Sequence, residues 1–351
     1  MKIAICTGGG DCPGLNAAIK AFVEICQFKY HSEVVGIYDS FNGLSEQPHR
    51  YATLGLPLLQ DIQSKGGTIL GTCNTGQTLT GPKGKQTLDS IVSGFKSLAL
   101  DAMVVIGGEG TQTMTKVLAA HLPVVGIPKT IDNDLPGTEQ TIGFTSCVDL
   151  VAESVMRLQS TAESHHRILI LEVMGRDSGF IALHGGIAGG ANVILLPEIA
   201  YSLDSIVKTI EERKKRGLNF SVIVASEGAA AKNQDVLYQD NAGGKKTLGG
   251  VGQVLAQSLF EATGSETRCT VLGHLQRGGA PNAADKILAF RFASHAAKLV
   301  HDKKFSRLVV LKQGHITDVG YDSIDPSQRR KIELNDDLLV AAGIAGISLG
   351  V

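Results

Sequence analysis

The residues in this chain best suited to chemistry form one heptapeptide, Pro128-Lys129-Thr130-Ile131-Asp132-Asn133-Asp134. It follows an apolar run, Leu122 to Ile127, that reads as a buried parallel strand. Two carboxylates two residues apart, beside a lysine, a threonine and an asparagine, are costly at a strand end unless something binds them. Open α/β sheets place their ligand crevice at the carboxyl ends of strands. The heptapeptide is therefore a candidate for the reacting groups themselves.

Two further strand ends carry glycine. The strand Lys2–Thr7 runs into Gly8-Gly9-Gly10-Asp11-Cys12-Pro13-Gly14-Leu15-Asn16, after which a helix opens. The strand Ala102–Ile106 runs into Gly107-Gly108-Glu109-Gly110-Thr111, with a helix predicted to begin near Gln112. Glycine lets backbone approach an anion, and a helix N-terminus adds N–H groups and a positive dipole end. One such turn says little, because tight packing also needs glycine. Two of them, each with one acid, point to a polyphosphate accompanied by a divalent cation, since Mg²⁺ bridges carboxylate and phosphate. Neither loop has the spacing of a P-loop or of a dinucleotide-binding Gly-x-Gly-x-x-Gly turn.

The second half of the chain places arginines and acids at strand ends. Met174-Gly175-Arg176 follows one strand, Glu227-Gly228 a second, and Gly273-His274-Leu275-Gln276-Arg277-Gly278-Gly279 a third. A single strand-end arginine is more often a surface ion-pair member. Several beside glycine point to capture of a sugar phosphate, which guanidinium grips bidentately.

The elements that must hold these residues alternate along the chain. Strands are predicted at Lys2–Thr7, Val34–Tyr38, Ala102–Ile106, Val124–Ile127, Arg167–Val173, Val193–Leu196, Phe220–Ala225, Thr270–Leu272 and Leu308–Leu311. Amphipathic helices are predicted at Asn16–Phe28, Thr141–Ser160, Asp204–Arg216, Gly252–Thr263 and Ala283–His301. Short apolar strands separated by helices imply parallel sheets covered on both faces, an α/β fold. A length of 351 residues favours two lobes over one. The segment Lys232–Lys246 reads as a surface loop or hairpin, and the apolar tail Leu338–Val351 as packed against the body or an interface. A net charge of −1 gives no case for nucleic acid or an anionic membrane, and no run is long enough to span one. Six scattered cysteines without a Cys-x-x-Cys pair fit reduced thiols in a cytoplasmic protein.

Taken together, the segments GGDCPGLN at 9–16, GGEGT at 107–111, PKTIDND at 128–134, MGR at 174–176, EG at 227–228 and GHLQRGG at 273–279 closely resemble the 6-phosphofructokinases, in order and in spacing. The resemblance implies two Rossmann-like, doubly wound lobes with mostly parallel sheets. The phosphoryl-donor lobe would be 1–140 plus about 275–325, and the fructose 6-phosphate lobe 141–274 plus about 326–351. It implies that Asp132 is the base on the C1 hydroxyl of fructose 6-phosphate, that Thr130 and Asp134 position the reacting groups, and that Arg176 stabilises the transferring phosphoryl. It places Thr130, Ile131, Asp132, Met174, Gly175, Arg176, Glu227, His274 and Arg277 around the sugar phosphate, with Arg167 and Arg268 contributed across a subunit interface of a homodimer or homotetramer. Gly10, Asn74, Thr75, Gly108, Glu109, Gly110 and Thr111 would face the donor, ATP, with Mg²⁺ at Glu109.

Lys129 and Gly110 bear on donor choice. The lysine is similar to members that include pyrophosphate users, whereas Gly110 is similar to ATP users, because an aspartate there would oppose the nucleotide's α-phosphate. Phe41 is a candidate to stack on adenine or else a half-buried loop aromatic. Glu109 stands where aspartate is more usual, and Asn74 where many ATP users carry an arginine. Lys20 keeps a charge of the bacterial effector site, but Glu24 and Gln159 do not. Alternatives are a pyrophosphate-dependent enzyme, with sedoheptulose 7-phosphate as a further acceptor, or a catalytically weak regulatory paralogue. A kinase of the NAD type shares the glycine-acid loop but leaves the second-lobe arginines unexplained.

Overall fold

The computed structural model describes residues 1–73, 79–240 and 246–351. The chain begins with β1 (Lys2–Gly8), α1 (Leu15–Tyr30), β2 (Glu33–Ile37), α2 (Asn42–Ser45), β3 (Tyr51–Thr53), α3 (Gly81–Ser97), β4 (Ala102–Gly107), α4 (Glu109–Leu118) and β5 (Val124–Pro128). Next come α5 (Phe144–His165), β6 (Ile168–Val173), α6 (Phe180–Gly189), β7 (Val193–Leu195), α7 (Leu203–Lys215), β8 (Ser221–Ser226), β9 (Tyr238–Asp240), β10 (Lys246–Leu248), α8 (Val251–Thr263) and β11 (Thr267–Val271). It ends with α9 (Ala283–His301), β12 (Arg307–Lys312), β13 (His315–Gly320) and α10 (Asp337–Ile344).

Two compact units result. The first comprises Met1–Ile131, Leu135–Ser146 and Arg277–Arg329; the second comprises Asp132–Asp134, Cys147–Gln276 and Arg330–Val351. The first holds a seven-stranded sheet in the order β13-β12-β5-β4-β1-β2-β3. Its five inner strands are parallel, and β3 and β13 run antiparallel at the edges. The strands β4 and β5 are buried at every residue, which is why their sequences are unbroken apolar runs. One face carries a core that includes Val35, Ile37, Phe41, Phe95 and Met103. The second unit holds a parallel four-stranded sheet, β11-β6-β8-β7, with a core that includes Ile170, Ile223, Leu255 and Leu259.

Several expectations need correction. Phe41 is fully buried in the first unit's core and is closed to a stacking base. The predicted strand Thr270–Leu272 is β11, Thr267–Val271. It is an edge strand, and the polar residues of its exposed positions hid its start. The strand β13 went unpredicted because His-Ile-Thr-Asp-Val-Gly has no apolar run. It is fixed instead by the two-residue turn Gln313-Gly314, both with positive φ, which folds it back on β12. The helix α4 starts at Glu109 rather than near Gln112, with Gly108 at its N-cap. The glycines masked that start, although an acid in the first turn suits the helix dipole. The tail packs on the second unit: Ile194 N–H donates to the Ser348 carbonyl at 2.9 Å beside β7. Among the described residues no helix is long and apolar enough to cross a membrane.

Candidate active site

In the first unit the ladder lines up three strand ends. Gly8 of β1 is paired with Gly107 of β4, and Gly107 with Pro128 of β5. The Gly8–Gly10 loop, the start of α4 and Lys129-Thr130 therefore leave the sheet side by side. The strand order reverses between β1 and β4, which marks the switch point where open sheets bind ligands.

Each residue there has distinct surroundings. Lys129 is 2% exposed, and its ammonium donates to the Gly10 carbonyl, so a buried cation lies against the glycine loop. Thr111 is also buried. It fits only because Gly8 and Gly107 lack Cβ atoms, which would overlap its side chain. Gly110 differs: a Cβ built on it meets nothing within 4 Å. Its place in the first turn of α4 brings N–H groups that have no partner within the helix. Glu109 opens that turn and accepts from the Arg329 guanidinium at 3.0 Å. Arg277 also belongs to this unit, where its Nη1 donates to the Asp11 carbonyl at 3.3 Å. Thr130 is held by Thr141, whose hydroxyl donates to its carbonyl at 2.6 Å. Ile131 is fully buried, so its side chain is closed to a ligand. Cys12 is no nucleophile, because burial pushes its thiol up to about 12.

The second unit gathers another set. Asp132 and Asp134 are 5% and 2% exposed, and Asn133 between them takes a left-handed conformation, φ 53°. Asparagine tolerates that backbone better than most residues, which accounts for its place between the acids. The Asp134 carbonyl accepts from Arg330 N–H at 2.7 Å. Beyond the end of β6, Arg176 also has positive φ, 52°, and its Nε lies 4.0 Å from Asp132 Oδ2. Its side chain is half exposed, so the guanidinium can turn to a ligand. Glu227 follows β8 and accepts from Arg176 N–H at 3.1 Å and Gly175 N–H at 3.3 Å. Burial raises the Glu227 carboxyl above its ordinary range; the two N–H bonds oppose the rise, and the Asp132 charge adds to it. His274 is exposed, in a short helical turn, Gly273–Arg277.

Arg167 and Arg268 lie elsewhere. Arg167 precedes β6, and Arg268 pairs with Leu169 near that strand's start. Both contact Glu266, Arg167 at 2.8 Å and Arg268 at 2.7 Å. They sit at the opposite end of β6 from Arg176.

A family model described as phosphofructokinase matches residues 2–300. The chain belongs to the phosphofructokinase family. It is 38% identical over 355 residues to ATP-dependent 6-phosphofructokinase 1 of Synechocystis sp., covering 99% of this chain and 98% of that one. It is 41% identical to a pyrophosphate–fructose 6-phosphate 1-phosphotransferase of Streptomyces coelicolor, covering 89% and 91%. A crystal structure of pyrophosphate-dependent phosphofructokinase from Marinobacter aquaeolei superposes with a TM-score of 0.81 at 21% identity, covering 99% and 92%. That last likeness concerns the fold, which is the phosphofructokinase fold.

Of the residues singled out in the sequence, Gly10, Gly108, Glu109, Gly110, Thr111, Lys129, Thr130, Ile131 and Arg277 lie in the first unit. Asp132, Asp134, Met174, Gly175, Arg176, Glu227 and His274 lie in the second. Asn74 and Thr75 fall outside the described residues. Sequence reasoning missed three residues. Gln276, 1% exposed, accepts Met174 N–H at 2.8 Å and so fixes the loop after β6. Its place inside the GHLQRGG motif was the available signal. Glu266 and Arg329 had none, because each meets its partner only through the fold. Lys20, a candidate effector charge, is instead paired with Glu24 one turn along α1.

Proposed function

We propose that this chain transfers the terminal phosphoryl group of ATP, as its Mg²⁺ complex, to the C1 hydroxyl of fructose 6-phosphate. The products are fructose 1,6-bisphosphate and ADP. Asp132 carries this reading: it is a buried carboxylate beside a half-exposed guanidinium, two residues after Thr130 and three after the buried Lys129. Phosphoryl transfer needs in-line positioning, charge neutralisation and a base on the acceptor hydroxyl. Asp132 takes the hydroxyl proton. Arg176 offsets charge on the transferring group, and Lys129 does so from the glycine loop. Thr130 and Asp134 hold the reacting groups in line, and Glu227, with Met174, Gly175, His274 and Arg277, grips the sugar phosphate.

The donor set suits Mg²⁺. One carboxylate, Glu109, stands in the first turn of α4 after the glycine loop, and Mg²⁺ characteristically takes one or two carboxylates, waters and the substrate's own phosphates. Glu109 would hold it and, when bound, the ion would neutralise charge on the donor phosphates. The open space at Gly110 favours a nucleotide donor. Pyrophosphate is the second reading, favoured by the buried Lys129 against the glycine loop. Turnover with Mg-ATP and with Mg-pyrophosphate, each with fructose 6-phosphate, decides between them. A kcat/KM at least a hundredfold higher with ATP is expected, and a preference for pyrophosphate would overturn the assignment.

We also infer that Arg167 and Arg268 serve the site of a second copy of the chain. The six residues of β6 span about 20 Å, which keeps both away from the Arg176 end of their own strand. Glu266 holds the two like charges side by side as a phosphate grip. Glu266→Gln is expected to raise the KM for fructose 6-phosphate roughly three- to tenfold while kcat stays within about twofold, as loss of one charge-assisted contact would. An unchanged KM would remove the grip.

A further inference from the structure

The ion pair between Glu109 and Arg329 links the carboxylate assigned to the metal with a residue that no motif includes. Both side chains are about three-quarters buried, with 23% and 24% of their surfaces exposed, so this is not a solvated surface pair. The segment that delivers Arg329 is tied along α4. Lys116, in the last turn of that helix, donates to the Ile324 carbonyl at 2.7 Å. Ser327 then closes on Asp325, its hydroxyl at 2.8 Å and its N–H at 3.1 Å from Oδ1. Arg329 follows two residues later, at the first turn of the same helix. The segment therefore starts at one end of α4 and sets a guanidinium at the other, on the only acid of the Gly107–Thr111 loop.

We propose that Arg329 is a positioning residue that occupies the Glu109 carboxylate until a divalent cation takes its place. This rests on the reading of Glu109 as the carboxylate that faces the donor's metal. A hard divalent cation binds through the negative charge of its few protein oxygens, and Glu109 supplies one carboxylate. A guanidinium already bonded to that carboxylate cancels its charge and would stand within a few ångströms of the arriving ion, so the two cations compete. Glutamate is suited to this exchange: its extra methylene, relative to aspartate, gives the carboxylate reach toward either partner. With a divalent cation held by Glu109, the Arg329 guanidinium would be released beside the donor loop.

The test is equilibrium binding of Mn²⁺ alone to the full chain without nucleotide, read from the electron paramagnetic resonance of the free ion. Wild type, Arg329→Gln, Glu109→Gln and the double variant are compared. Arg329→Gln is expected to tighten Mn²⁺ binding about fivefold, the scale of an ion pair of this exposure. Glu109→Gln is expected to abolish that gain, and Arg329→Lys, which keeps the charge, to show little of it. If Glu109→Gln weakens Mn²⁺ binding but Arg329→Gln leaves it unchanged or weakens it, the exchange is refuted and the metal assignment of Glu109 stands. If Glu109→Gln changes nothing in either background, the metal assignment falls and the exchange with it. Arg329→Met supplies a second neutral variant should the glutamine variant fail to fold. The same gain is expected as a lower free Mg²⁺ concentration for half-maximal turnover.

Discussion

Asp132→Asn is expected to lower kcat by about three to four orders of magnitude and to change fructose 6-phosphate binding by less than about threefold. General-base catalysis contributes roughly 10²–10⁴ in rate, and the role proposed for Asp132 puts most of that range at stake. Its carboxylate is buried, so no bulk water competes for the acceptor proton. Asparagine keeps the shape, and the left-handed Asn133 that follows keeps the local backbone. The Arg176 guanidinium stands 4.0 Å off, too far for a strong bond, so losing the charge should leave its position unchanged. Glu227 stays fixed by its own N–H donors. The substitution therefore isolates proton removal from binding. Steady-state kcat, with a dissociation constant from equilibrium binding of fructose 6-phosphate, checks it. A kcat within tenfold of wild type would show that Asp132 is not the base.

Gly110→Asp carries the second large effect, on the donor. Two features make the experiment clean. A Cβ at position 110 meets no atom within 4 Å, so the fold has nothing to push against. The position is also in the first turn of α4, where an acid complements the dipole by about 0.3–1 kcal/mol. Thermal stability should be unchanged or slightly higher. The cost falls on the nucleotide: a carboxylate about 4 Å from a phosphate charge is opposed by about 4 kcal/mol at an effective dielectric constant near 20. That corresponds to roughly three orders of magnitude in kcat/KM for ATP. Pyrophosphate, with no third phosphate to place there, should be affected far less. If the variant folds and uses ATP within threefold of wild type, Gly110 does not govern donor choice.

The parts of this molecule legible from sequence were those written in local pattern. Apolar runs, interrupted in β6 by the buried Glu172, gave β1, β4, β5, β6 and β8 to within a residue or two, because a strand buried on both faces has little room for polar alternation. The helix Ala283–His301 has the bounds its amphipathic pattern predicts, and the structure adds its cap, Asn282, whose side chain accepts from Asp285 N–H. Glycine and acid at strand ends announced the candidate site for the same reason: such residues are expensive there without a task.

What stayed hidden depends on distance in sequence. Phe41 lies in a polar loop and gives no sign that it points into a core built from β2, β4 and α3. Glu266 reads as an ordinary surface acid until Arg167 is brought to it from 99 positions away by the pairing of β6 with β11. Arg329 is hidden more deeply, 220 residues from Glu109. The start of α4 was obscured for a different reason: glycine-rich sequence reads as loop, yet Gly108 caps and Gly110 is helical.

The emptiness around Gly110 also has an evolutionary meaning. Most residues at strand ends are held by several neighbours at once, so selection for folding and selection for ligand are entangled. Here they separate, because no tertiary partner is lost or crowded when a side chain appears. A single base change turns a glycine codon into an aspartate codon, and a lineage could take that step without first acquiring a stabilising substitution elsewhere.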